Sequence, residues 1–155
     1  MGIYLNPDSS KFEEAVNSDI YVDKTGLLTY TNSVLHTMQK YICISRPRRF
    51  GKSTAANMLT AYYSRGCDAE QIFSQFEIAK DSGFKKYLNK YNTISVNMQE
   101  ILSRSRSIYE LIERFNKLLI RDLKKEYLDV DYFDDTDVIE CMQDVYSQKK
   151  QAFIV

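Results

Sequence analysis

The sequence of 155 residues has no tryptophan, one histidine and three cysteines, and its 21 Lys+Arg cancel its 21 Asp+Glu. The zero net charge gives no global argument for attraction to nucleic acid or to a membrane surface. The lone His36 cannot form a metal site by itself. An odd, scattered set of cysteines is expected of reduced thiols in a cytosolic protein rather than of disulfides or a metal site; it comprises Cys43, Cys67 and Cys141.

Long apolar runs are also missing: no stretch approaches the roughly 20 residues that a membrane span requires, and no signal peptide is visible. We therefore expect a cytoplasmic protein with no membrane partner. What the chain does have is 12 Tyr and 8 Phe, which indicate an aromatic-rich interior. Its length is enough for one domain with a real core.

The most informative stretch begins with the short apolar run Tyr41–Ile44, which predicts a buried strand of a parallel sheet. A tight basic loop follows, and a helix is expected to start near Lys52. This strand, loop and helix order is the context that a phosphate-binding P-loop requires. Gly51 allows the backbone to turn, and successive N–H groups then form an anion-binding nest next to the positive helix N-terminus. Lys52 can reach the β- and γ-phosphates, and the Ser53 hydroxyl can bind Mg²⁺.

One position departs from the general G-x-x-x-x-G-K-[ST] pattern, because Arg46 stands where the first glycine is expected. The alternative interpretation of the stretch is an ordinary turn with a solvated Lys-Ser pair. The flanking strand and helix patterns favour phosphate binding. The predicted nucleotide-binding residues are Arg46, Pro47, Arg48, Arg49, Phe50, Gly51, Lys52, Ser53 and Thr54, with Lys52 as the catalytic candidate and Ser53 as the metal ligand.

The run from Arg46 to Ser53, R-P-R-R-F-G-K-S, resembles the P-loop variant of the predicted AAA-ATPase-like family of bacteria. Upstream, Tyr21–Thr25 resembles the family's Y-V-D-K-T signature, and Tyr91–Asn97 resembles its next strand. The resemblance implies ATP and Mg²⁺ as cofactors and places Asp23-Lys24-Thr25 near the nucleotide. Without it, Asp23-Lys24-Thr25 would be interpreted as a capped helix start on the surface.

The family's strand before its D-E pair corresponds to Ala152–Val155, at which the given sequence stops. That pair would hold Mg²⁺ and activate water. The resemblance therefore suggests an N-terminal fragment of a protein that continues into a PD-(D/E)XK nuclease-like domain. We expect negligible ATP turnover by residues 1–155 alone.

Alternating strand and helix patterns predict an α/β fold, specifically a three-layer P-loop type with a mostly parallel, incomplete sheet. We expect a helical lead-in over residues 1–40 and a P-loop core over residues 41–155. The core contains a second strand at Thr93–Met98 and a long helix after the capping pair of Ser107 and Glu110. The apolar residues of this helix recur at helical spacing and predict a wide stripe that packs against the sheet; they are Ile108, Leu111, Ile112, Phe115, Leu118, Leu119 and Leu123. Residues 129–137 are interpreted as an acidic loop that caps the next helix.

An incomplete sheet would leave apolar surface open, so self-association or a partner chain is expected to cover it. The main alternative function is a non-catalytic interaction or regulatory module that keeps the P-loop scaffold. A small-molecule kinase is a weaker interpretation, since no lid or acceptor-site signature is visible.

Overall fold

A computed structural model describes residues 2–45, 47 and 49–155. The chain forms two compact units. The N-terminal unit spans Asp8–Lys90, and the C-terminal unit combines Tyr91–Val155 with the residues up to Pro7. Within the described ranges, no helix has both the length and the apolar character needed to cross a membrane. The predicted single domain, with its lead-in and core, stays a prediction.

The N-terminal unit is helical. Its elements are α1 (Ser10–Val16), α2 (Gly26–Val34), α3 (Lys52–Tyr63), α4 (Glu70–Phe73), a 3₁₀ helix (Glu77–Lys80) and α5 (Phe84–Tyr87). Aromatic rings fill its interior, as the composition predicts. The rings of Phe12 and Phe73 stack with centroids 5.1 Å apart, and Tyr62 meets Phe73 edge-on at 5.3 Å. Packing of these large rings supplies much of the apolar burial available to short helices.

Buried hydrogen bonds fix α2 against α3. The Tyr63 hydroxyl donates to Asn32 Oδ1 at 2.8 Å, and Asn32 Nδ2 donates to the Tyr62 hydroxyl at 3.1 Å. Tyr62 in turn donates to the Phe84 carbonyl at 3.0 Å. Because buried polar groups are costly without partners, this network specifies one packing arrangement for the helix that follows the basic loop.

The predicted strand at Tyr41–Ile44 is wrong for the described structure. These residues adopt no regular secondary structure, and Tyr41 and Ile42 expose 84% and 39% of their surface. An apolar run becomes a strand only where a neighbouring strand supplies hydrogen bonds, which composition alone does not specify. The basic loop is therefore preceded by a segment without regular secondary structure rather than by a sheet strand.

The C-terminal unit contains a small parallel sheet. Strand β1 (Asn92–Thr93) pairs with β2 (Phe153–Ile154) in the register Asn92 with Phe153 and Thr93 with Ile154. An antiparallel bridge joins Leu5 to Ile94. The strand expected at the chain's end is thus confirmed over two residues. The described structure as a whole is helix-rich with a two-stranded parallel sheet, which is compatible with the α/β class.

Three helices accompany this sheet: α6 (Met98–Ser103), α7 (Ile108–Glu126) and α8 (Val138–Lys149). The strand predicted over Thr93–Met98 overlaps β1 only at Thr93, so most of this prediction is wrong. Asn97 instead caps α6, where its side chain accepts the N–H groups of Gln99 and Glu100. An asparagine that caps a helix offers the backbone an alternative to a sheet ladder. Sequence periodicity missed α6.

Two predicted helix starts are confirmed. The Ser107 hydroxyl accepts the Glu110 N–H at 3.2 Å, while the Glu110 carboxylate accepts the Arg106 N–H at 2.8 Å. In the acidic loop, Asp137 accepts the N–H groups of Ile139 and Glu140 and so caps α8. Both signals involve residues within four positions of each other, which explains why the sequence reveals them.

The predicted apolar stripe of α7 is only partly buried. Leu111, Leu119 and Leu123 are buried, whereas Ile108 exposes 70% of its surface and Ile112 exposes 49%. Leu119 and Leu123 belong to a core cluster that includes Ile94, Tyr127, Cys141 and Val145. Amphipathic spacing therefore identified the correct helix and overestimated how much of its stripe packs within the unit.

Candidate functional site

The start of α3 has the backbone geometry expected of an anion-binding turn. Gly51 precedes the helix with φ 74° and ψ 28°, a left-handed conformation that favours glycine. The first bond of the helix ladder runs from the Ala55 N–H to the Gly51 carbonyl at 2.9 Å. The N–H groups of Lys52, Ser53 and Thr54 therefore precede the ladder, where they and the helix dipole favour a negative ligand.

Arg49 is the second left-handed position in this turn, with φ 68°. Such a conformation is uncommon for a residue with a side chain and is found most often where function or packing requires it. Two residues with positive φ, Arg49 and Gly51, thus flank Phe50 immediately before α3. Among the predicted site residues, Arg46 and Arg48 lie outside the described residues.

Lys52 begins α3 and bends back over its own loop. Its Nζ donates to the Pro47 carbonyl at 3.3 Å, and its side chain is exposed. Ser53 is exposed and Thr54 is half-buried at the next two positions of the helix. The structure thus gathers a lysine, a serine and the first N–H groups of a helix at one place.

A second lysine reaches the turn from the segment before α2. Lys24 Nζ donates to the Phe50 carbonyl at 3.2 Å, across 26 positions of sequence. A methyl group in place of the Gly51 hydrogen would lie 2.6 Å from this ammonium. The absence of a side chain at Gly51 therefore provides the space that Lys24 occupies.

The neighbours of Lys24 hold its backbone in place. Asp23 accepts the N–H of Thr25 at 2.8 Å and that of Glu77 at 3.0 Å, while the Thr25 hydroxyl accepts the Ile78 N–H at 3.2 Å. Burial raises the pKa of Asp23, but the hydrogen bonds from Glu77 and Thr25 outweigh it and lower the pKa below its usual value. Asp23 is thus held as a carboxylate that fastens this segment.

Two cavities adjoin the turn, one of about 270 Å³ and one of about 700 Å³. Lys24, Gly51 and Ala55 line both of them. The smaller cavity is also bounded by Tyr21, whose buried hydroxyl has no hydrogen-bond partner among the described residues. A concave space that combines apolar and polar lining groups is a candidate small-molecule site.

Comparison with known families agrees with these features. The family model described as predicted AAA-ATPase, AAA-ATPase-like, matches residues 9–155. The chain belongs to the predicted AAA-ATPase-like family. No curated protein and no solved structure matches the chain significantly. The AAA-ATPase-like membership suggests nucleotide binding, and it covers the basic loop together with the segment that carries Lys24.

Sequence reasoning on this AAA-ATPase-like chain found some of the site and missed some of it. The helix start at Lys52 is confirmed. The structure brings Lys24 to the loop, while the proximity to a nucleotide that the Y-V-D-K-T resemblance implied stays a prediction. Tyr21 was not among the candidate residues. The signal that could have pointed to it is its position as the first residue of that same Y-V-D-K-T run.

The described part of this AAA-ATPase-like chain has no group of three or more His, Cys, Asp or Glu side chains that could hold a metal ion. Magnesium commonly binds through one or two protein oxygens, several waters and the phosphates of a nucleotide. The exposed Ser53 hydroxyl at the helix start fits that role, since it needs no protein-only cage around the ion.

Proposed function

We propose that this chain binds ATP as its Mg²⁺ complex, with the triphosphate at the N-terminus of α3. The observation that carries the proposal is the left-handed Gly51 immediately before a 12-residue helix. This arrangement directs the N–H groups of Lys52, Ser53 and Thr54 toward one anion. Family membership supports the same conclusion.

Within this proposal each residue of the turn has a distinct role. Lys52 neutralises phosphate charge and is the catalytic candidate, because its ammonium would follow the developing negative charge. Ser53 supplies a hydroxyl ligand to Mg²⁺. The backbone from Arg48 to Thr54 surrounds the phosphates, and the side chains of Arg46, Arg48 and Arg49 add positive charge around them. Pro47 and Phe50 complete the loop.

The finer fold assignment belongs to the same proposal. A three-layer P-loop arrangement is supported by the parallel pairing of β1 with β2 and by the three helices, α6, α7 and α8, that lie between these strands in the chain. Parallel strands need crossover connections, which in α/β proteins are usually helices.

Calorimetric titration with ATP–Mg²⁺ and thermal unfolding with and without nucleotide test the proposal. A ligand that binds only the folded state stabilises it by about 2.7 kcal/mol at 100 times its dissociation constant. We expect this stabilisation in the wild type and its loss in Lys52→Ala. The matched control Lys90→Ala removes an exposed lysine that lines neither cavity and should bind normally.

The alternative is an interaction or regulatory module that keeps the loop without binding a nucleotide. The contacts of Lys52 with Pro47 and of Lys24 with Phe50 favour it, because both ammonium groups already have carbonyl acceptors. Unchanged unfolding temperature and no heat of binding at millimolar ATP–Mg²⁺ would support this alternative and reject nucleotide binding.

A further inference from the structure

We propose that Lys24 is a second phosphate-binding residue, which contacts the nucleotide from outside the P-loop. This inference rests on the proposed nucleotide site and adds a residue from a different segment to it. Lys24 lies 28 positions before Lys52 in the sequence and is not part of the loop motif.

The position of the Lys24 ammonium carries the argument. It lies against Gly51 and donates to the Phe50 carbonyl at 3.2 Å, at the edge shared by both cavities. In the part of the chain that the structure describes, Lys24 forms no salt bridge within 4.0 Å. Its full positive charge is therefore balanced only by a carbonyl dipole in the described structure.

A phosphate oxygen is a better acceptor for an ammonium than a carbonyl oxygen. The phosphate oxygen carries negative charge, so the Lys24 ammonium gains a Coulomb attraction to it that the neutral Phe50 carbonyl does not offer. A triphosphate at the start of α3 would thus draw Lys24 from the Phe50 carbonyl, just as it would draw Lys52 from the Pro47 carbonyl. The two lysines would then contact the phosphate chain from two directions.

The segment around Lys24 suits this exchange because its backbone is fixed while its side chain is not. Asp23 and Thr25 are each tied to the 3₁₀ helix region, through the N–H groups of Glu77 and Ile78. The lysine stem between them is flexible and its ammonium is exposed. Only side-chain rotation is needed for Lys24 to exchange one acceptor for another.

If Lys24 had only a structural role, its sole function would be to donate a hydrogen bond to the Phe50 carbonyl. The variant Lys24→Gln separates the two roles, since a glutamine amide can still donate to a carbonyl and carries no charge. Lys24→Met removes both the charge and the donor. Lys90→Met serves as the matched control for loss of an exposed lysine in the same unit.

The experiment measures dissociation constants for ATP–Mg²⁺ and for inorganic tripolyphosphate by calorimetry in wild type and in the three variants. We expect Lys24→Gln and Lys24→Met to weaken both ligands by about tenfold or more, as for a lost charged hydrogen bond. Equal losses of affinity for ATP–Mg²⁺ and tripolyphosphate would show that Lys24 contacts the phosphates, since these are what the two ligands share. The affinity of each Lys24 variant should also depend less steeply on salt than that of the wild type, whereas Lys90→Met should match the wild type.

Wild-type affinity in Lys24→Gln together with weakened binding in Lys24→Met would overturn the inference and leave Lys24 as a loop brace. Wild-type affinity in both variants would also overturn it, while the nucleotide site itself would stand. If the wild type binds neither ATP–Mg²⁺ nor tripolyphosphate, the proposed function fails first and the inference fails with it.

Discussion

The carboxylate of Asp122, near the C-terminal end of α7, accepts the backbone N–H of Tyr4 at 2.8 Å, across 118 positions of sequence. The same oxygen accepts the Leu5 N–H at 3.4 Å, and the other oxygen accepts the Arg121 guanidinium at 3.0 Å. Asp122 exposes only 2% of its surface. The buried Asp122 carboxylate therefore holds Tyr4 and Leu5 against α7 by hydrogen bonds. Leu5 also forms an antiparallel bridge with Ile94.

Asp122→Ala is expected to destabilise the C-terminal unit by about 3 kcal/mol, because it leaves two backbone N–H groups without their charged acceptor. Urea unfolding followed by circular dichroism measures the change. The control Asp135→Ala removes the exposed ion pair with Lys124 and should cost less than about 1 kcal/mol. Equal costs for the two variants would show that burial of Asp122 contributes nothing.

The pH dependence of stability should also reflect Asp122. Burial raises the pKa of its carboxyl, but the hydrogen bonds from Tyr4, Arg121 and Leu5 outweigh burial and lower the pKa below its usual value. Because the pKa is lower in the folded state, ionised Asp122 contributes to the free energy of unfolding. This contribution is complete above the unfolded pKa of about 3.9 and is lost as pH falls through the folded pKa.

Stability measured from about pH 6 to about pH 2 should therefore decline in the wild type. Asp122→Asn should be less stable at neutral pH and should show a flatter decline, since position 122 no longer takes up a proton. Parallel pH profiles for the two proteins would argue that other carboxyls dominate acid unfolding.

Asn89 is expected to be essential for the end of α3. Its Nδ2 donates to the carbonyls of Ala61 and Ser64 at 2.9 and 2.8 Å, and its Oδ1 accepts the Ala69 N–H at 3.0 Å. It also has φ 55°. The side chain thus satisfies carbonyls that a helix end leaves without partners.

Asn89→Ala should lower the free energy of unfolding by about 3 kcal/mol, from lost hydrogen bonds and left-handed strain together. Asn89→Gly removes the same hydrogen bonds and tolerates the positive φ, so it should be about 1 kcal/mol more stable than the alanine variant. Urea unfolding of both variants provides the comparison. If Asn89→Ala is as stable as Asn89→Gly, the positive φ at position 89 does not cost the alanine variant stability.

Gly51→Ala is expected to destabilise the N-terminal unit by about 1 kcal/mol through the backbone strain of its φ of 74°. The added methyl also meets Lys24 Nζ, but this is the end of a flexible side chain that can move. The cost should therefore be nearly the same in a Lys24→Ala background, which urea unfolding of the double variant can establish.

Gly26→Ala is the matched control for this substitution. No heavy atom lies within 4 Å of a methyl at Gly26, and the residue starts α2 without a positive φ. Alanine favours helix over glycine, so this variant should be as stable as the wild type or more stable. Loss of stability at Gly26 similar to that at Gly51 would refute the assignment of the Gly51 cost to its conformation.

The sequence by itself determined features that depend on residues a few positions apart. Ser107 with Glu110 marked the start of α7, Asp137 marked the start of α8, and Gly51-Lys52 marked the start of α3. Capping involves a side chain and an N–H group two or three residues onward, so local order is sufficient to predict it.

Only the tertiary structure decided the contacts between distant segments. It brought Lys24 to Phe50, placed Asn89 at the end of α3, joined Asp122 to Tyr4 and left Tyr41–Ile44 outside any strand. Each outcome depends on which backbone groups and cavities lie nearby after packing, and amino-acid spacing contains no record of that. The start of α3 was therefore predictable from the chain, whereas the contact of Lys24 with the Phe50 carbonyl required the fold.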